Sequence, residues 1–207
     1  MGCAGVTGDP GFPSLTPGVL QVGHPGQSPD TPRHKGTARV WWHVGAVKRG
    51  GNVQHLAGLE SFPGGRRDPA DADAVATALR ETREELGVAV AAASVWGQLR
   101  TLPDRQGMTI APVVANLGPL EALTLTPNPD EVEEVFTLPL AHLLREENQG
   151  YTHFRTATGY GYTLPVFLNG PHRVWGLTAI ITELTLELLL PGHYHRKTHV
   201  PPRKPEA

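Results

Sequence analysis

The run from Gly64 to Val88, GGRRDPADADAVATALRETREELGV, constrains this chain more than any other. A Gly-Gly pair precedes a helical stretch that carries Arg80-Glu81-Thr82-Arg83-Glu84-Glu85 and stops at Gly87. Glu81, Glu84 and Glu85 stand at i, i+3 and i+4. At about 100° per residue they fall in a stripe roughly 100° wide. Val75, Ala78, Leu79, Thr82 and Leu86 make the opposite stripe, expected to face a core. Like charges so spaced repel one another by about a few tenths of a kcal/mol per pair. A hard divalent cation converts that repulsion into coordination, because Mg²⁺ takes oxygen ligands and keeps waters for phosphate chemistry. A solvated helix in which Arg80 pairs with Glu84 is the plain alternative. The Gly-Gly turn and the Gly87 stop favour the metal-binding reading.

At 207 residues the chain suffices for one domain with a substantial core. A net charge of −2 gives no basic field for nucleic acid or an anionic membrane. The single Cys3 excludes an internal disulfide framework and a cysteine-rich metal site. No apolar, uncharged run reaches about 18 residues, so no membrane partner is expected. The N-terminus has neither the layout of a secretory signal nor that of an arginine-rich presequence: its first basic residue is Arg33, after Asp9 and Asp30.

Residues 1 to 36 hold eight Gly and six Pro and are expected to lack fixed structure. Residues 37 to 60 contain an apolar stretch, Ala38 to Val47, then the turn Lys48 to Asn52 and a candidate return strand, Val53 to Leu56. A helix is expected over 73 to 86, with Asp73 as N-cap and Gly87 as the residue past its end. Short strands are expected near 88 to 90 and 95 to 99. Met108 to Leu117 reads as a strand that Pro112 marks as an edge or bulge. Val132 to Leu138 is another, before a short helix opened by Pro139. Tyr151 to Arg155 and Tyr162 to Phe167 read as a hairpin around Ala157-Thr158-Gly159. A last helix, Leu177 to Leu190, places Leu177, Ile180, Ile181, Leu184 and Leu188 on one face and ends at Pro191-Gly192. The tail 193 to 207 is basic, contains proline and is expected to be flexible. Strands between two amphipathic helices imply a mixed sheet covered on both faces.

Other features carry less. His193, His195 and His199 could bind a transition metal, but a proline-rich tail is a poor scaffold for a site. His153 and His172 read as strand or turn residues that orient neighbours. Asp130-Glu131-Val132-Glu133-Glu134 reads as a solvated strand entry, with Glu131 kept as a candidate extra carboxylate. No Gly-x-Ser-x-Gly elbow points to a covalent nucleophile. Gly64-Gly65 before a carboxylate helix is expected to let the backbone approach a metal or phosphate.

From Arg80 to Val88 the chain resembles the Nudix box: Gly, five residues, Glu, seven residues, then Arg-Glu-aliphatic-x-Glu-Glu-x-Gly-aliphatic. Thr82 fills an aliphatic slot, Gly65 lies one residue too far from Arg80, and the upstream Glu slot falls on Ala72. That offset, with Gly58-x-x-x-Phe62-Pro63-Gly64-Gly65 and Asp68-Pro69-Ala70-Asp71, is similar to the coenzyme A diphosphatase branch of the family. Asn148 to Phe154 and Tyr162 to Thr178 resemble its mitochondrial members, and the likeness covers about residues 61 to 192. The resemblance implies a Nudix-type α/β/α sandwich with a mixed sheet and a mitochondrial location. It also implies Mg²⁺- or Mn²⁺-dependent hydrolysis of coenzyme A or acyl-CoA into 3′,5′-ADP and 4′-phosphopantetheine products. On that reading Glu81 and Glu85 are the principal metal ligands and Glu84 a third ligand or the general base. Arg80 orients a carboxylate, and Gly64 and Gly65 meet the substrate.

Upstream of Ser61 the chain departs from these relatives. Arg33-His34-Lys35-Gly36 looks like the end of the branch's arginine-rich signature, but residues 37 to 60 separate it from Ser61, and the strand and arginines before it are missing. An altered start, from an alternative transcript or gene model, is the favoured expectation, and a substitute hairpin at 38 to 56 the rival. The functional alternatives are a catalytically silent Nudix-like chain and a hydrolase of another nucleoside diphosphate such as ADP-ribose. The expected partner is a small-molecule substrate.

Overall fold

In the computed structural model, which describes residues 15–23, 43–49, 60–103, 109–155, 161–196 and 198, a seven-stranded sheet is joined by a separate two-stranded hairpin. The sheet strands are β1 (Leu15–Gly23), β2 (His43–Arg49), β3 (Glu60–Ser61), β4 (Val95–Gln98), β5 (Leu102–Pro103), β6 (Thr109–Gly118) and β7 (Val132–Pro139). The hairpin is β8 (Gln149–Arg155) and β9 (Gly161–Phe167). Three α-helices stand among the described residues: α1 (Ala74–Leu86), α2 (Leu140–Leu143) and α3 (Gly176–Leu189). The order is β3-β2-β1-β6-β4, with β7 also on β2 and β5 also on β6. Only the β1–β6 pair is parallel, so the sheet is mixed, as expected.

The sandwich follows from alternation along β6. Ala111 to Ala115 are all buried, yet successive side chains of a strand point to opposite faces. Val113 and Ala115 pack with Ala78 of α1. Val114 belongs to the larger cluster that holds Ala179, Ile181, Leu184 and Leu186 of α3 with Phe136, Leu138 and Phe167. One helix therefore covers each face. Pro112 does not mark an edge, because β6 pairs on both sides. Its missing N–H falls where the partner changes from β4 at Val113 to β5 at Ile110, and its carbonyl still accepts the Leu99 N–H at 2.8 Å.

Both long helices bury sides that differ in part from the expected stripes. Ala78, Thr82 and Leu86 of α1 are buried, but so are Ala74, Thr77 and Glu85. The Thr82 hydroxyl is satisfied by donating to the Ala78 carbonyl at 2.8 Å. In α3, Leu188 is 57% exposed, and the buried set includes Thr178, Thr182, Glu183, Thr185 and Leu186. Leu and Ile recur all round this helix, so their spacing does not single out one face. Val88 to Val90 form no strand.

Two other expectations change. Within residues 1 to 36, Leu15–Gly23 form β1, which runs along nine residues of β6. Backbone pairing of that length outweighs the local Gly and Pro content; Pro17 lies where β1 pairs with β6 but not with β2. In the tail, Tyr194 is buried and donates to Glu183 Oε1 at 2.9 Å, the Thr198 hydroxyl donates to Glu183 Oε2, and Arg196 pairs with Glu187. Tyr194, Arg196 and Thr198 are thereby docked on α3. The return strand Val53 to Leu56 and the hairpin turn at 157 to 159 lie outside the described residues.

Residues 43–49 sit inside the sheet, where β2 pairs with β1, β3 and β7. Deleting residues 37 to 60 removes β2 and Glu60 of β3, strips a partner from β1 and β7, and exposes sheet edges. The deletion is expected to lower the melting temperature by roughly 10 °C or more. An unchanged or higher melting temperature would show that β2 adds nothing to the fold.

Candidate active site

The loop before α1 is built from short-range bonds. The Asp71 N–H donates to the Asp68 carbonyl at 2.9 Å, and Asp71 Oδ2 accepts the Asp68 N–H at 2.9 Å. Arg67 donates to the carbonyls of Asp71 and Ala72. Asp73 then caps α1, its carboxylate accepting the Ala76 N–H at 2.7 Å, and Gly87 closes the helix in the left-handed region at φ 69°. Both caps are those expected from sequence.

Arg80 ties this loop to the helix. It donates to both Asp71 oxygens (3.2 and 3.3 Å from Nε), to Glu81 Oε1 at 2.9 Å, to Glu84 Oε2 at 2.6 Å and to the Arg66 carbonyl at 3.1 Å. The expected i, i+4 pair with Glu84 is therefore one bond among several. Hydrogen bonding from Arg80 holds the Asp71 carboxyl down at about 2, below its ordinary 3.8.

The three glutamates differ in exposure. Glu84 is solvent-facing, with 54% of its side chain exposed, whereas Glu81 retains 13% and Glu85 as a residue only 1%. Burial pushes Glu81 above the ordinary carboxylate value; Arg80 opposes the shift, and the charges of Glu84 and Glu131 add to it. Gly64 and Gly65, expected to let the backbone approach a metal or phosphate, lie against the carboxylates that would hold the metal. The Gly64 N–H donates to Glu85 Oε1 at 3.3 Å, and a Cβ on Gly65 would collide with the Glu81 carboxylate. Consecutive glycines thus cradle carboxylates from consecutive turns of α1.

The turn ahead of β7 also docks on this helix. The Thr126 N–H donates to the Leu86 carbonyl at 2.9 Å and the Asn128 N–H to the Glu85 carbonyl at 2.8 Å. This brings the Glu131 charge to bear on Glu81. The histidines play other parts. His153 bonds Thr163 across the hairpin at 2.8 Å, and His172 meets Glu134 at 2.8 Å and packs edge-on against Phe136. His199 lies outside the described residues. Asp71 was not singled out by sequence reasoning, although its place in Asp68-Pro69-Ala70-Asp71, ahead of a helix arginine, was a usable signal.

Among the described residues, no group of three His, Cys, Asp or Glu side chains is gathered closely enough to hold a metal ion. Arg80 holds Asp71, Glu81 and Glu84 around its own guanidinium. The Glu81–Glu85 pair fits a divalent cation better: both donors are hard oxygens, on adjacent turns, against a glycine cradle.

The Asp71–Arg80 bond makes a pH-dependent prediction. A carboxyl with a depressed folded-state pKa contributes stability above its unfolded value and loses it as pH falls through the folded one. Asp71→Asn should therefore be less stable than the parent at pH 7, with the gap closing as pH drops from about 4 through about 2. Urea unfolding of both proteins across that range measures it; a gap undiminished at the acid end would refute the ion-pair assignment.

Comparison with known proteins agrees with this geometry. The NUDIX domain family model matches residues 38–156, so its match begins upstream of Ser61 and takes in β2. The Homo sapiens protein named mitochondrial coenzyme A diphosphatase NUDT8 is 64% identical over 134 residues, covering 65% of this chain but only 57% of the human protein. Its Mus musculus namesake is 60% identical over 144 residues, 70% of this chain and 69% of the mouse protein. A crystal structure of a MutT/nudix family protein from Enterococcus faecalis shares the fold, with a TM-score of 0.56 at 18% identity, covering 86% of this chain and 62% of that one. Carboxylates on a capped helix, a glycine cradle and a sheet covered on both faces thus occur in a chain that belongs to the Nudix family.

Proposed function

We propose that this chain hydrolyses the diphosphate bond of coenzyme A and acyl-CoA with Mg²⁺ or Mn²⁺, in mitochondria. The observation that carries the reading is the 64% and 60% identity to two proteins named as mitochondrial coenzyme A diphosphatases. The Phe62-Pro63-Gly64-Gly65 cradle beside α1 supports it independently.

Glu81 and Glu85 would hold the cation. When bound, such an ion neutralises diphosphate charge and makes water a stronger nucleophile. Gly64 positions Glu85 through its N–H, and Gly65 leaves room for Glu81. Glu84, the exposed member of the trio, would accept the proton of the attacking water. The water oxygen bonds to one phosphorus as the bridging P–O bond breaks, giving 3′,5′-ADP and a 4′-phosphopantetheine product. Arg80 orients Glu81 and Glu84 through its hydrogen bonds.

Glu85→Gln keeps the shape of the side chain but removes its charge. Turnover is expected to fall by about a hundredfold with little change in melting temperature. Activity near that of the parent, or full activity of the parent in excess EDTA, would overturn the metal assignment. Chromatography of products from coenzyme A, dephospho-CoA and ADP-ribose tests the substrate. Release of 3′,5′-ADP from coenzyme A is expected, since thioester hydrolysis of an acyl-CoA would release free coenzyme A. A higher kcat/KM for ADP-ribose would replace the coenzyme A assignment with the ADP-ribose one. No cleavage with any divalent metal would favour the silent chain, a reading motivated by the absent arginine-rich signature.

A further inference from the structure

Arg80 distributes its donors unequally, and Asp71 receives most of them. Nε lies 3.2 and 3.3 Å from the two Asp71 oxygens, and Nη2 lies 3.2 Å from Oδ2. Nη2 also reaches Glu81 Oε1 at 2.9 Å, and Nη1 reaches Glu84 Oε2 at 2.6 Å. A guanidinium is planar and rigid, so fixing its Nε–Nη2 edge on one carboxylate fixes where the remaining N–H groups aim. Asp71 is itself held in place. Its side chain is 7% exposed, Oδ2 accepts the Asp68 N–H at 2.9 Å, and its own N–H donates to the Asp68 carbonyl. The loop carboxylate is thus the fixed point from which Arg80 is oriented.

We propose that Asp71 is a positioning residue for the metal-dependent reaction: by holding the Nε edge of Arg80, it limits that guanidinium to one oxygen of Glu81 and keeps the other for a divalent cation. The inference rests on the metal reading above. Among the described residues, Glu81 accepts from Arg80 through Oε1 and no donor meets Oε2, while Gly65 lies against the same carboxylate. The upstream Glu slot of the box falls on Ala72, whose methyl group can accept nothing; the loop carboxylate that reaches Arg80 is Asp71, one position earlier. Without Asp71, the released Nε and Nη2 would close on both Glu81 oxygens in the parallel two-bond pairing that guanidinium and carboxylate favour. Arg80 would then occupy the acceptor that a cation needs.

Asp71 also has a plainer role in closing the turn from Asp68, and its loss lowers stability on that ground alone. A turn role leaves the metal affinity of the folded protein unchanged, so affinity is the readout. Mn²⁺ is titrated into the full chain and the free ion followed by its paramagnetic resonance signal, at a temperature where melting curves show each variant folded. Asp71→Asn should bind Mn²⁺ about tenfold more weakly than the parent. In an Arg80→Gln background the same change should alter affinity by less than about twofold, because the group that Asp71 orients is already gone. An unchanged affinity in Asp71→Asn, or an equal loss in both backgrounds, would overturn the proposal. If Asp71→Asn does not fold, Asp71→Glu carries the decision. It keeps the charge but displaces the guanidinium by a methylene, so affinity should fall by about threefold or more, and a parent-like value counts against positioning. Binding is read separately from turnover. A parent that binds no Mn²⁺ would fail the metal reading and this inference with it, whereas Mn²⁺ bound equally well with and without the Asp71 carboxylate removes the positioning role alone.

Discussion

The Arg80 guanidinium bonds Asp71, Glu81, Glu84 and the Arg66 carbonyl, so a single side chain ties the loop from Arg66 to Asp73 onto the helix that carries the acids. Charges this close and partly withdrawn from water are tolerated only when each is compensated. Remove the cation, and Asp71 keeps its backbone donor but loses its charge partner, while Glu81 is left half-buried beside Glu84 and Glu131. The loop, in turn, leads from Phe62 and the two glycines, so the cradle around Glu81 and Glu85 depends on the same anchor. A divalent cation entering between these carboxylates would compete with Arg80 for Glu81.

Exposure differs among three chemically identical side chains. Glu85 is sealed beneath the Gly64 amide, Glu81 sits at the boundary, and Glu84 faces solvent. The gradient arises because the stripe of acids turns gradually from the covered side of α1 toward water. Buried carboxylates are fixed and suited to holding an ion; an exposed one can exchange a proton with water. A metal centre and a base can thus come from one run of six residues.

Local chemistry was legible in the sequence. Asp73 and Gly87 announce the ends of α1, and β6, β7, the hairpin and α3 begin and end within a few residues of expectation. What sequence pattern missed were long-range effects. The pairing of β1 with β6 joins strands more than eighty residues apart, and no local signal in a Gly- and Pro-rich segment reveals such a partner. Pro112 suggested an edge because a missing donor usually marks one, yet here it lies at a change of partner inside the sheet. Glu85 was placed on the acidic stripe opposite the core-facing one, and its burial went unforeseen because periodicity locates a side chain on a helix but not the loop that will cover it. Asp71 escaped for a related reason: the importance of a loop carboxylate emerges only when a helix brings an arginine to it.

Glu183 stands wholly inside the core on α3, where Tyr194 and Thr198 donate to its two oxygens. Burial and the adjacent carboxylate keep the Tyr194 hydroxyl protonated far above the ordinary phenol range, so it remains a donor. The segment after α3 is consequently a stopper for a polar hole in the apolar interior. A protease that cut between Leu190 and Tyr194 would do more than trim a surface segment, because it would take the Tyr194 and Thr198 hydroxyls from a fully buried carboxylate. The nick would be sensed on the far side of the cluster, at Tyr151 on β8, which shares the same hydrogen-bonded group. Resistance to nicking at that point is therefore a property of the core, set by one acid and the two hydroxyls that cover it.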